Sequence, residues 1–304
     1  MTHDPILRRN EHTLNRLTHK GFRVAAAVVA ALLVTGCSTP TPTPTPASPA
    51  AQVAVNNLPS DHVHAVAINP GDEKVYLATH QGLFRYGASG PEKVGPTIDL
   101  MGFSIAGPDH FYSSGHPGPG TELPNPVGLL ESVDAGQTWT PLSLQGQSDF
   151  HLLAASSAGI IGFDGALKST ADGGTWEPRA DMGAAPSSLT SSEDGSVVLA
   201  ATGGTVIRSE DAGRTWTSLA GTPPIMLLDW ASTGVFAGVT AAGELTVSGD
   251  DGATWQTRGS VNTAPQAITA KMETNGKLRI LVATGTDLLE STDDGFSFAP
   301  LASR

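Results

Sequence analysis

The sequence predicts an all-β chain folded as a six-bladed β-propeller, with seven blades as the alternative. Three observations carry this reading. An eight-residue pattern, S-x-D-x-G-x-T-W, recurs along the chain. Its aromatic anchors at Trp139, Trp176, Trp216, Trp255 and Phe298 lie 37 to 43 residues apart, the size of one four-stranded blade. Between the anchors, short β-branched segments alternate with Gly-rich turns, and no segment outside the N-terminal leader shows sustained helical periodicity.

The chain opens with that leader. Arg8, Arg9, Arg16, Lys20 and Arg23 precede an Ala/Val/Leu-rich run from Val24 to Val34. The run is too short to cross the roughly 30 Å apolar core of a bilayer and has the length of a signal-peptide apolar region. It ends in Val34-Thr35-Gly36-Cys37. This resembles the bacterial lipobox, whose cysteine becomes a lipidated N-terminus; the alternative is a free thiol after an ordinary signal. Cys37 is the only cysteine, so no internal disulfide can form. The expected organisation is a signal peptide over 1–36, a Thr/Pro-rich linker over 37–52 and a propeller over 53–304. Thr-Pro repeats at 39–46 make the linker a semi-rigid, extended stalk. The expectation is an exported protein, lipid-anchored to the cell membrane through Cys37 and facing the extracytoplasmic side.

Charge narrows the partners. The leader holds five of the 17 basic residues and two of the 29 acidic ones, leaving 12 basic against 27 acidic in the remainder. A surplus of 15 negative charges argues against nucleic acid and anionic lipid as ligands.

The repeats set the blades. Near-perfect copies run from Ser132 to Trp139, Ser209 to Trp216 and Ser248 to Trp255. Ser291 to Phe298 ends in Phe, and Ser169 to Trp176 is worn, with Ala171 where Asp is expected. The motif reads as a tight turn in which Ser and Asp side chains bind backbone N–H groups, Gly takes positive φ and the aromatic ring packs between layers. Asp134, Asp211, Asp250 and Asp293 are therefore assigned a structural role. The same strand pattern precedes each copy and also occurs at Val75 to Tyr86, which no copy follows. Blades are expected near 60–97, 98–145, 148–182, 186–221, 225–260 and 265–301, with residues 52–58 available to close the ring.

In a propeller, the first strand of each blade starts on the top face, and the loop between its second and third strands returns there. By this rule His62, His64, His80, His116 and His151 gather on one sector of the top face, beside Met101. His110 falls in a bottom turn. The longest loop, Pro117 to Pro126, carries Glu122 and overhangs the same sector. Several imidazoles suit zinc or copper, and a thioether favours copper. The expected site thus binds a metal ion or a polar ligand. The alternatives are separate channel-lining histidines, or a glycoside hydrolase using two of the top-face carboxylates Asp61, Asp99, Glu122, Asp149 and Asp164.

The S-x-D-x-G-x-T-W copies resemble the Asp-box, or BNR, repeats of the sialidase superfamily over nearly the whole exported part. They are also similar to sortilin-type and photosystem-assembly propellers. The resemblance implies a propeller with the box turns on its outer rim, a glycosyl hydrolase-like label, and a glycan or an envelope protein as ligand. Sialidase activity itself needs an arginine triad, a Tyr/Glu pair and an Asp acid. No Arg-Ile-Pro motif precedes the first blade. Arg208 and Arg214 flank a box, while Arg85, Arg179 and Arg258 fall in outer strands. A substrate carboxylate would lack its basic clamp, which argues against a sialidase.

Overall fold

The computed structural model describes residues 58–87 and 89–301. The signal and linker segments, Cys37 and residues 52–57 lie outside the described residues. Six four-stranded antiparallel sheets follow one another along the chain, with consecutive strands as neighbours in each. They form a six-bladed β-propeller with no helix among the described residues.

The first blade comprises β1 (Val63–Ile68), β2 (Val75–Thr79), β3 (Gly82–Gly87) and β4 (Gly90–Val94). The second comprises β5 (Ile98–Gly107), β6 (His110–Pro117), β7 (Leu129–Ser132) and β8 (Thr140–Ser143). The third has β9 (Leu152–Ser156), β10 (Gly159–Phe163), β11 (Leu167–Thr170) and β12 (Glu177–Pro178). The fourth has β13 (Pro186–Ser191), β14 (Val198–Thr202), β15 (Thr205–Ser209) and β16 (Thr217–Ser218). The fifth has β17 (Ile225–Ser232), β18 (Val235–Thr240), β19 (Glu244–Ser248) and β20 (Gln256–Ser260). The sixth has β21 (Pro265–Met272), β22 (Leu278–Thr284), β23 (Leu288–Ser291) and β24 (Ala299–Pro300). Inner strands β1, β5, β9, β13, β17 and β21 contact one another in a ring that closes between β21 and β1.

The core is six apolar layers, one between each pair of neighbouring blades. Second strands show why their sequences read as unbroken apolar runs. In β14, Val198 and Ala200 pack toward the third blade, while Leu199 and Ala201 pack toward the fifth. In β2, Val75 and Leu77 face the sixth blade, while Tyr76 and Ala78 face the second. Successive side chains point to opposite faces, and both faces are covered, so the first four positions of each strand are apolar and a buried Thr ends it. Each buried Val or Leu contributes about 1.5–3 kcal/mol.

The repeated turn has one hydrogen-bond set in four blades. Gly136 N–H donates to Ser132 Oγ at 2.8 Å, while Thr138 N–H and Thr138 Oγ donate to the Asp134 carboxylate at 2.9 and 2.7 Å. The turns at Asp211, Asp250 and Asp293 repeat it. In the worn copy, Asp172 accepts from Thr170 Oγ1, Gly174 N and Thr175 N. The turn also joins blades. Gly136 has φ +85°, and a Cβ there would stand 2.2 Å from Leu83 of the preceding blade.

A feature absent from the sequence reading recurs at the top of the inner strands. Five of them carry a β-bulge near their start, between Val63/Ala65, Leu100/Gly102, Pro186/Ser188, Ile225/Leu227 and Pro265/Ala267. The residues left out of register are His64, Met101, Ser187, Met226 and Gln266. A bulge bends the strand and re-aims a side chain. His64, Met101, Ser187 and Gln266 all line the central channel, a cavity of about 1110 Å³.

Candidate metal centre

The first blade supplies three imidazoles. His62 precedes β1, His64 occupies its bulge, and His80 sits in the two-residue turn between β2 and β3. That turn is tied by Thr79, whose hydroxyl donates to the Gly82 carbonyl at 2.9 Å and accepts from Gln81 N–H at 3.1 Å. One ring nitrogen from each histidine lies within 4.8 Å of the other two. Ring centroids are 4.6 Å apart for His62 and His64, 4.4 Å for His64 and His80, and 5.3 Å for His62 and His80.

The second blade adds a carboxylate. Asp99 Oδ1, on β5, is 2.9 Å from His80 Nδ1 and 3.5 Å from His64 Nε2, and the two nitrogens are 3.3 Å apart. Bonds of 2.0–2.1 Å in a tetrahedral zinc site place ligand atoms about 3.3 Å apart, close to the 2.9–3.5 Å separations among Asp99 Oδ1, His80 Nδ1 and His64 Nε2, and the three imidazoles form the group able to hold an ion. Asp99, one of the five carboxylates the sequence offers for acid/base work, thus stands against two of the three imidazoles.

The electrostatics suit a cation. The His64 side chain is only 7% exposed. Burial, then the neighbouring His62 and His80 rings, lower its pKa to about 4, against the opposing charge of Asp99. At neutral pH its imidazole keeps its lone pair.

Closure of the ring holds His62 and His64 in place. Gln266, at the bulge of the sixth blade, accepts from Val63 N–H at 2.9 Å and donates to the Asp61 carbonyl at 3.2 Å. The two bonds clamp the backbone on either side of His62. Nothing in the sequence marks Gln266, because its role arises from a contact across 203 residues.

The other two histidines form a second group. His116 was expected in a loop, but β6 continues through it, and Asp99 and His116 are cross-strand partners. His116 Nε2 is 3.3 Å and His151 Nε2 is 2.9 Å from Asp149 Oδ2. Met101 lines the channel mouth with His64 and His151. The remaining candidate carboxylates stand apart from these contacts. Asp61 and Glu122 are exposed, and Asp164 is paired with Lys168 at 2.7 Å in the turn between β10 and β11. His110 pairs with Glu131 at 2.8 Å.

No family model and no curated protein matches this chain. Its shape is similar to that of a GH74 xyloglucanase from Xanthomonas campestris, with a TM-score of 0.52 and 14% identity, covering 79% of this chain and 38% of that one. It is also similar to YCF48 bound to a D1 peptide, with a TM-score of 0.50 and 17% identity over 80% of this chain and 82% of that one. A gluconolactonase from Xanthomonas campestris gives a TM-score of 0.57 and 12% identity over 74% and 84% of the two chains. The chain thus spans about 38% of the xyloglucanase's length. At these identities the likeness extends to the β-propeller fold, and the fold is what the three comparisons establish.

Proposed function

We propose that this chain is a metal-binding β-propeller, holding one zinc or copper ion on its top face through His62, His64, His80 and Asp99. The observation that carries the reading is the convergence of three imidazole nitrogens within 4.8 Å, with a carboxylate oxygen 2.9 and 3.5 Å from two of them. The metal-free rings share hydrogen bonds with one another and with Asp99, and a bound cation would take the lone pairs instead. Met101 lines the same channel as His64, and a thioether reaching the ion would favour copper. Lipidation of Cys37 would tether the propeller outside the membrane on its Thr/Pro-rich stalk, where it would meet extracytoplasmic metal.

Competition titration against a chromogenic chelator tests this. The wild-type chain should hold Zn2+ or Cu2+ at least tenfold more tightly than a His62→Ala, His80→Ala variant. Equal affinities would remove the site.

A glycoside hydrolase is the second reading, favoured by two carboxylates, Asp99 and Asp149, each held against top-face histidines. Two carboxylates flanking a bond are the usual hydrolytic device. Release of reducing sugar from plant and bacterial glycans, lost in both Asp99→Asn and Asp149→Asn, would support it; no release from any glycan tested would remove it.

A further inference from the structure

Outside the proposed metal centre, Asp149, His151 and His116 form a hydrogen-bonded cluster at the entry to the third blade. His151 Nε2 is 2.9 Å and His116 Nε2 is 3.3 Å from Asp149 Oδ2. The other carboxylate oxygen, Oδ1, is buried without a hydrogen-bond partner, so the carboxylate spends its bonding on these two rings. The backbone beneath is fixed. Phe150 is fully buried and stacks on Trp176 with ring centroids 4.6 Å apart, and its N–H donates to Ser114 Oγ at 3.0 Å. His151 N–H donates to the Phe163 carbonyl at 3.1 Å.

The two rings differ in what they leave over. His116 engages both nitrogens, since its Nδ1 is 2.7 Å from Asn125 Oδ1. The ring of His151 is held through Nε2 alone. An ionised carboxylate only accepts, so Nε2 of His151 carries the proton and the neutral ring presents its lone pair at Nδ1. That ring is exposed and lines the channel with His64, near enough for its charge to act on His64. A carboxylate that fixes the tautomer and orientation of an imidazole, with the second nitrogen left for substrate, is the arrangement of a general base.

The channel narrows the substrate. Among the described residues, the basic side chains that line it are Arg208 and Lys271, near the far ends of β15 and β21 and held by Glu210 and Asp251 and by Glu73. An anionic phosphate or carboxylate would meet no free clamp beside His151, which favours a neutral carbonyl compound. We propose that His151 is the general base of an ester or lactone hydrolase, with Asp149 as its positioning residue. His151 Nδ1 takes a proton from water as the water oxygen bonds to the carbonyl carbon. The C–O bond to the alkoxy group then breaks, and Nδ1 returns the proton to the departing alkoxide. The products are a carboxylic acid and an alcohol, joined in one molecule when the substrate is a lactone. Negative charge developing on the carbonyl oxygen is met by the ion of the proposed centre; this part rests on the metal reading, whereas proton transfer by His151 does not.

Hydrolysis of phenyl acetate and of δ-valerolactone by the full chain, dialysed against Zn2+, is followed by titrant uptake at constant pH, and bound zinc is counted on the same samples. His151→Ala should lower kcat about 100-fold with KM unchanged, and Asp149→Asn, which preserves shape, should lower it about tenfold, both at wild-type zinc content. Unchanged kcat in His151→Ala, or no hydrolysis of either substrate by wild type, overturns the general base, and the metal reading stands if zinc is bound. Loss of bound zinc in either variant makes the pair a support of the metal centre and also overturns the base. Wild type that binds no zinc, yet hydrolyses either substrate in a His151-dependent manner, removes the metal centre and keeps the base.

Discussion

Asp99 of the second blade lies 2.9 Å from the imidazole of His80 in the first, so the candidate centre is built across a blade interface. Neither blade supplies the set alone. Asp99→Ala should therefore weaken metal binding by about 10–100-fold while leaving thermal unfolding of the apo-protein unchanged. Chelator competition together with a melting curve checks both halves. A loss of folded protein would instead make Asp99 a structural residue.

Gln266 is expected to act at a distance. It clamps the backbone at Asp61 and Val63, on either side of His62. Gln266→Ala should raise the metal Kd by roughly tenfold through looser positioning of His62 and His64, while Gln266→Glu, which retains the acceptor, should recover part of the loss. Isothermal titration of the two variants reads this directly.

The blades were legible because their cause is local. Each box places Ser, Asp, Gly and Thr within seven residues, and their hydrogen bonds form inside that segment. The apolar runs of β2 and β14 are equally local, since both faces of a second strand are covered. The gathering of five histidines followed from blade topology as well. Their division into two groups did not. His64 and Met101 sit at bulges, which leave no trace in a single strand's composition. Asp99 could be sorted only once His80, 19 residues before it along the chain, was in place, and His116 meets Asp149 across 33 residues.

The box glycines should be sensitive to any side chain. Gly295 has φ +87°, and a Cβ there would stand 2.2 Å from Leu245 Cδ2, which is fully buried. Overpacking of this kind costs about 1–3 kcal/mol. For a domain of this size each kcal/mol moves Tm by about 2–4 °C. Gly276→Ala is the control, since Gly276 has φ +77° but nothing within 4 Å of the added carbon. Gly295→Ala should lower Tm clearly more than Gly276→Ala in the same calorimetric series.

Acid should loosen the turns in a defined window. Hydrogen bonds from Thr, Ser and backbone N–H groups hold Asp172, Asp211 and Asp293 down to about 2. Unfolded aspartates titrate near 3.9. A depressed folded pKa contributes stability that is complete above about 3.9 and is lost as pH falls toward 2. Asp229 works in the opposite sense: desolvation raises its pKa, although Thr190, Thr269, Ala270 and Trp230 all donate to it. Tm should fall steeply from pH 4 to pH 2, and Asp211→Asn should flatten that slope while Asp229→Asn should not.

A metal-soaked crystal examined by anomalous scattering reaches the central claim most directly. The account predicts an ion bound by ring nitrogens of His62, His64 and His80, about 2.0–2.1 Å from each, with Asp99 completing the set. An anomalous map with no peak among these three rings, from protein shown to carry metal, would contradict it.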